Sequence, residues 1–200
     1  RHRAEWYLAA SDVAAASGDI EARVTGLERA IAIYERAAPR NSGHEAALSN
    51  LGALAFDRND LPKALGLLDR ALAVVRDADS DVATDLARIQ SRRGRVLTEL
   101  GRLAEARKAF EEARRVFEQT LGLEHASAWQ ATAGLALVEQ RLGDRAASDL
   151  LFASVRAAPG YPLEVNGERR AEVDALYRRC LAERAPPTSL TGSQAPPSLP

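Results

Sequence analysis

In the middle of the chain, apolar positions recur three and four residues apart, break, and then recur. Leu48, Leu51, Leu54 and Ala55 lie on one stripe; after Asn59-Asp60, a second stripe holds Ala64, Leu67, Leu68, Ala71, Leu72 and Val75. Spacing of this kind predicts two helices joined by a tight turn. Asp60 suits the N-cap of the second helix, and Pro62 is tolerated in its first turn, where backbone N–H groups have no intrahelical partner. Ser42-x-x-Glu45 and Ser127-x-x-Gln130 read as capping boxes opening two other helices. No polar/apolar alternation persists and β-branched residues are scattered, so the pattern predicts an all-α fold.

The same two-helix pattern repeats. LERAIAIYERA from Leu27, LDRALAVVRDA from Leu68, FEEARRVFEQT from Phe110 and FASVRAAPG from Phe152 follow one another at intervals of 41–42 residues. Each is preceded by polar punctuation: Gly18-Asp19, Asn59-Asp60, Gly101-Arg102 and Gly143-Asp144. A period of that size means stacked supersecondary units, each burying its apolar face against its neighbours. Superposed, Val13, Leu54, Val96 and Val138 share one first-helix position. Leu27, Leu68, Phe110 and Phe152 share a second-helix position, and Ala30, Ala71, Ala113 and Val155 share another. Small residues let helices approach, and large ones fill the space between units.

The units fall at approximately 4–44, 45–86, 87–128 and 129–160. Beyond Pro159-Gly160, Val173, Leu176, Tyr177, Cys180 and Leu181 define one face of a single helix over 166–184. Asn166 suits its N-cap, Glu168 and Glu172 favour its start, and Arg169, Arg170, Arg178, Arg179 and Arg184 occupy much of the rest. This helix reads as a polar cap closing a repeat domain of residues 1–184. Residues 185–200, rich in Pro, Ser and Gly, read as a disordered tail or linker.

The segment LGRLAEARKAFEEA, Leu100 to Ala113, resembles the middle of a tetratricopeptide repeat (TPR). Gly101, Ala106, Phe110 and Ala113 match that family's turn glycine, small, aromatic and small positions, and Gly52 and Gly94 match the small residue of the first helix. The period exceeds the family's usual length of about 34 residues. TLGLEHASAW, Thr120 to Trp129, resembles the extended loop of the kinesin-light-chain-like variant. The likeness spans roughly residues 4–160, with Ser148 and Val155 standing where alanines are expected.

The resemblance implies a right-handed α-solenoid of about four antiparallel hairpins plus the capping helix. It also implies a non-catalytic protein-interaction scaffold whose first helices line a concave surface holding an extended or helical peptide. The positions expected to face that surface are Asn50; Arg88, Arg92 and Arg95; and Gln130, Leu137 and Gln140. Asn50, in LSNLG, matches an asparagine that kinesin-light-chain-like repeats use to grip a peptide backbone. Arg92 and Gly134 stand at the equivalent places in the following units.

Composition narrows the function classes. With 46% hydrophobic and 28% charged residues, the 200-residue chain has ample material for a core. A net charge of −1 provides no global field for nucleic acid or an anionic membrane. Lys63 and Lys108 are the only lysines, an arginine bias that reads as a GC-rich, bacterial genome. Cys180 as the lone cysteine excludes an internal disulfide, fits the reducing cytoplasm, and reads as a small core hydrophobe. No apolar run approaches the roughly 18 residues of a spanning helix. With Arg1 first and no methionine anywhere, the chain reads as a segment of a longer protein.

Motifs for chemistry are sparse. His44-Glu45-Ala46-Ala47-Leu48 begins like H-E-x-x-H but has leucine where the second histidine must stand, and His2 and His125 lack partners at ligand spacing. There is no C-x-x-C, Gly-rich phosphate loop or G-x-S-x-G elbow, so no metal, cofactor or catalytic residue is expected. Glu28, Asp69, Glu111 and Glu112 read as solvated carboxylates, with Glu111 placed to pair with Arg115. Trp6, Tyr7 and Trp129 read as packing at unit boundaries rather than a ligand cage.

Arg88, Arg92 and Arg95, spaced i, i+4, i+7, stack on one helical face. They are either an anionic site, since guanidinium forks onto carboxylate or phosphate, or a solvated stripe balanced by Asp85 and Glu99. The leading functional expectation is an acidic peptide or helix docked across Asn50, Arg92 and Gln130, in the regulatory or adaptor segment of a larger protein. Two rivals stand beside it: a spacer or self-association element working through the terminal faces, and a ligand sensor controlling an attached signalling protein.

Overall fold

The architecture follows from four nearly identical turns. The computed structural model describes residues 2–37, 41–76, 83–158 and 167–184, and within them the chain is helical with no strand. The helices are α1 (His2–Ser17), α2 (Ile20–Ala37), α3 (Ser42–Asp57), α4 (Leu61–Arg76), α5 (Ala83–Glu99), α6 (Leu103–Leu121), α7 (Ala126–Leu142), α8 (Arg145–Arg156) and α9 (Gly167–Arg184). The α1/α2, α3/α4, α5/α6 and α7/α8 turns each place one residue at positive φ: Gly18 at 74°, Asn59 at 60°, Gly101 at 72° and Gly143 at 93°. At each turn the next residue's N–H reaches back five positions, as in Asp60 to the Ala55 carbonyl at 2.8 Å and Arg102 to Leu97 at 2.9 Å. This left-handed closure satisfies carbonyls that a helix end leaves open, and explains why the punctuation is Gly or Asn.

The residue after the closure starts the next helix. Asp19, Asp60 and Asp144 accept side-chain hydrogen bonds from the N–H groups of Ala22 (2.9 Å), Lys63 (3.2 Å) and Ala147 (2.9 Å). Asp60 is therefore the cap its position predicts. The two expected capping boxes are displaced. Asn41, not Ser42, caps α3, its Oδ1 accepting from the Gly43 N–H at 2.8 Å. His125, not Ser127, caps α7, its Nδ1 accepting from the Ser127 N–H at 3.1 Å. In both cases an extended residue just ahead of the box aims a short acceptor at the first turn.

Packing follows the superposed register. Leu27, Leu68, Phe110 and Phe152 are buried, as are Ala30, Ala71, Ala113 and Val155. The apolar interior runs from α1 to α9, with α3, α5 and α7 each packing between their own second helix and the preceding one. Ser148, replacing an expected alanine, is fully buried and its Oγ accepts from Arg184 of α9 at 3.3 Å. Cys180 is buried beside it, as a core residue should be. Glu111 and Arg115 do not pair; Arg115 donates instead to Gln119 at 3.3 Å.

One register position breaks the pattern. Leu54, Val96 and Val138 are 6%, 1% and 0% exposed, whereas Val13 is 71% exposed. Trp129 is buried and donates its indole N–H to the Leu123 carbonyl at 2.8 Å, whereas Trp6 meets Tyr7 edge-on, 4.9 Å between centroids, and is 64% exposed. The proposed cap Asn166, the break at Pro159-Gly160 and the tail 185–200 lie outside the described residues.

Candidate functional site

A groove of about 600 Å³ crosses the first helices. Its walls come from α5 and α7, with Phe56 of α3 at one end and Glu172, Leu176 and Arg179 of α9 at the other. Phe110 and Phe117 of α6 reach its floor from behind. Of the residues expected to bind a partner, Arg88, Arg92, Arg95, Gln130 and Leu137 line this one groove. Asn50 and Gln140 do not. Asn50 Oδ1 accepts from Arg92 at 3.1 Å, and Gln140 is buried and accepts from Arg184 Nε at 2.7 Å.

The first helices are laced together by polar contacts, most about one repeat apart in sequence and one, Arg179 to Glu99, about two. Arg88 donates to Glu45 Oε1 at 3.2 Å and to Asp85 Oδ1 at 2.7 Å. Arg92 donates to Ser49 Oγ at 2.6 Å as well as to Asn50. Gln130 bonds Glu172. Arg141 reaches the Thr98 carbonyl at 2.9 Å and Glu183 at 3.0 Å, and Arg179 forks onto Glu99 with two 2.9 Å bonds. The links between neighbouring first helices fix the offset of one repeat on the next. Glu99 is thereby engaged by α7 and α9 and does not balance the α5 arginines, as the solvated-stripe reading required.

The three arginines of α5 consequently differ. Arg88 is satisfied by two carboxylates. Arg95 lies over the Phe56 ring, 4.9 Å from its centroid, and among the described residues makes no ion pair. Arg92 is half-buried, with only neutral acceptors. Burial, together with repulsion from Arg88 and Arg95, pushes its pKa down to about 10. Below the rim, Glu45 is buried and its Oε2 has no hydrogen-bond partner among the described residues. Its pKa is raised by burial, against the pull of Arg88 and Arg92.

The sequence reading missed the α9 wall. Residues 166–184 read there as a closing half-repeat; α9 packs on α7 and also turns Glu172, Leu176 and Arg179 to the groove. Arg179 carries the signal in the sequence, among the arginines that cover the polar side of this helix. Phe56 gives no periodic signal, because it flanks the apolar stripe rather than lying on it. No helix among the described residues is long and apolar enough to cross a membrane.

Two tetratricopeptide repeat models match the chain, one over residues 15–82 and one over residues 85–158. No curated protein sequence matches it. Among solved structures, nearly identical TPR-like repeats of a kinesin light chain protein from Podosopora anserina superpose with a TM-score of 0.65 at 17% identity, covering 90% of this chain and 94% of that one. BtubC from P. vanneervenii gives a TM-score of 0.65 at 12% identity, with 95% and 85% covered. A tetratricopeptide repeat protein from Parabacteroides merdae gives 0.56 at 20% identity, covering 92% of this chain and 62% of that one.

Proposed function

This chain belongs to the tetratricopeptide repeat family, and from that premise we propose a non-catalytic scaffold that holds an acidic peptide or helix in the groove across α5 and α7. Repeats of this family generally mediate protein–protein interaction. The observation that carries the finer reading is the pair Arg92 and Arg95, cations at the groove wall with no ion pair among the described residues. Arg92 in particular is held charged in a place that disfavours charge. A carboxylate entering there would relieve this cost and accept a two-pronged hydrogen bond. Phe56 and Leu176 offer apolar contact on either side, so an acidic residue flanked by apolar ones fits best. The inter-repeat links hold the groove in shape before binding, which limits the entropy lost on docking. A regulatory or adaptor role in the cytoplasm is consistent with the buried, lone Cys180.

The test is titration of a fluorescein-labelled peptide of interspersed Glu and Leu residues into wild type and Arg95→Glu. Arg95 is exposed and pairs with no carboxylate among the described residues, so its reversal should leave helical circular dichroism unchanged. Wild type should bind, less tightly as salt rises, and the variant should bind at least about tenfold more weakly. Equal, salt-insensitive binding by both would replace the acidic ligand with an apolar one. A structural role through the N-terminal face is the second reading, favoured by the exposure of Trp6 and Val13.

A further inference from the structure

The two walls of the groove differ in charge along a line that the repeat itself lays out. Gln130 of α7 and Glu172 of α9, bonded to one another, stand 42 residues apart, as do Arg141 and Glu183. One repeat before Gln130, on α5, stands Arg88. A single level of three successive first helices therefore reads cation, amide, carboxylate, and all three residues line the groove. The next level reads Arg92, Gly134, Leu176, and these line it too.

Half of the charged residues in the groove are neutralised within the protein. Arg88 has Glu45 and Asp85, and Arg179 has Glu99. Arg92 and Arg95 make no ion pair among the described residues. Neither does Glu172, which is exposed and accepts only from the neutral Gln130 amide. Two unpaired cations on α5 thus stand opposite one unpaired carboxylate on α9, with α7 between them. Packed helices lie about 8–10 Å apart, so roughly 16–20 Å separates these walls. Over that distance water and salt screen the attraction, and the opposed charges do not satisfy one another.

We propose that the groove takes a bipolar peptide segment: a carboxylate held by Arg92 and Arg95 and, about five or six extended residues away, a lysine or arginine held by Glu172. This rests on the acidic-ligand reading of the groove and adds the second charge to it. Glu172 is then a residue that sets specificity. A helix spanning the same gap, about 10 Å across, fills on the order of 1,400 Å³, against a groove of about 600 Å³, so the segment is extended. Gly134 and Leu137 lie between the walls and carry no charge, which suits uncharged residues in the middle of the segment. Residues 185–200 hold no charged side chain and can supply neither end, so the segment comes from outside this chain.

The test compares two fluorescein-labelled peptides of Glu, Leu and Ser that differ only in whether Lys or Gln stands about six residues beyond the glutamates, each made in both chain directions. Fluorescence anisotropy should show wild type binding the Lys peptide about threefold more tightly than the Gln peptide in one direction, a gain that shrinks as salt rises. Glu172→Gln keeps an acceptor for the Gln130 amide, and so the fold, and should erase that gain. Glu172→Lys should turn it into a loss. Moving the peptide's lysine beside its glutamates should also erase the gain, since it then faces the α5 arginines. If wild type binds neither peptide, the acidic-ligand reading fails and this inference with it. If both bind alike, or the gain survives in Glu172→Gln, the groove still takes an acidic ligand and the second charge alone is overturned.

Discussion

The ring of Phe110 in α6 lies directly against the backbone of Gly134 in α7, leaving no room for a side chain at 134. On its other side the ring meets Gly94 of α5, where an added Cβ would sit 2.9 Å from three ring carbons. One aromatic residue is thus clamped between two glycines of successive first helices. Alanine at position 134 gains about 1 kcal/mol of helix propensity, but it overpacks a ring that has nowhere to move. Gly134→Ala should therefore lower stability by a net of roughly 1–3 kcal/mol in chemical denaturation. Adding Phe110→Leu should recover part of the loss, a coupling that independent sites would not show.

The turns make a prediction of opposite sign. Asn59 holds φ at 60° where the three equivalent positions are glycine. Asn59→Gly removes the left-handed strain on a side chain, but gives back some of that gain as unfolded-chain entropy. The expected result is an increase of up to about 1 kcal/mol, and Gly101→Ala should cost about as much. Thermal unfolding of the two variants beside wild type checks both.

The repeat, its helices and its hairpin turns were legible because each rests on local chemistry written once per unit. Asp60 could be read as a cap, and Phe110 and Ala113 as a large and a small packing position, from neighbours within a few residues. The groove was legible only in part. Arg88, Arg92 and Arg95 share a helix face, which spacing reveals, but their partners stand about one repeat away. No periodicity argument shows that Asn50 is engaged by Arg92 or Gln140 by Arg184. The register also predicts equal burial for Val13 and Val138, yet burial depends on what lies before the unit, and that is a property of the stack.

A fork between α6 and α7 joins the third and fourth units. Glu139 is buried, and both its carboxylate oxygens accept from Arg107, whose side chain remains 41% exposed. Removing the arginine strands a buried carboxylate, whereas neutralising the carboxylate leaves an arginine that can reach water. Arg107→Ala should lower stability measurably, and Arg107→Ala with Glu139→Gln clearly less. A double-mutant cycle in urea is the measurement.

Glu45 makes stability depend on pH in a direction unusual for a carboxylate. Its folded-state pKa lies above the ordinary value of 4.5, chiefly because it is buried. Below that ordinary value the side chain is protonated folded or unfolded. As pH rises past 4.5 the unfolded chain releases the proton first while the folded chain still holds it, so stability falls until the folded form has also ionised. Glu183 and Glu105, whose pKa values are lowered mainly by hydrogen bonds from Arg141 and Arg102, act in the opposite sense, losing their contribution as pH falls. Their effects are common to wild type and Glu45→Gln and largely cancel in the difference. The glutamine keeps the shape of the protonated acid and has no proton to lose. The stability of Glu45→Gln relative to wild type should therefore rise from about pH 4.5 toward neutrality and then level off, as read from urea midpoints across that range. A difference that stays flat would mean that Arg88 and Arg92 offset the burial of Glu45 in full.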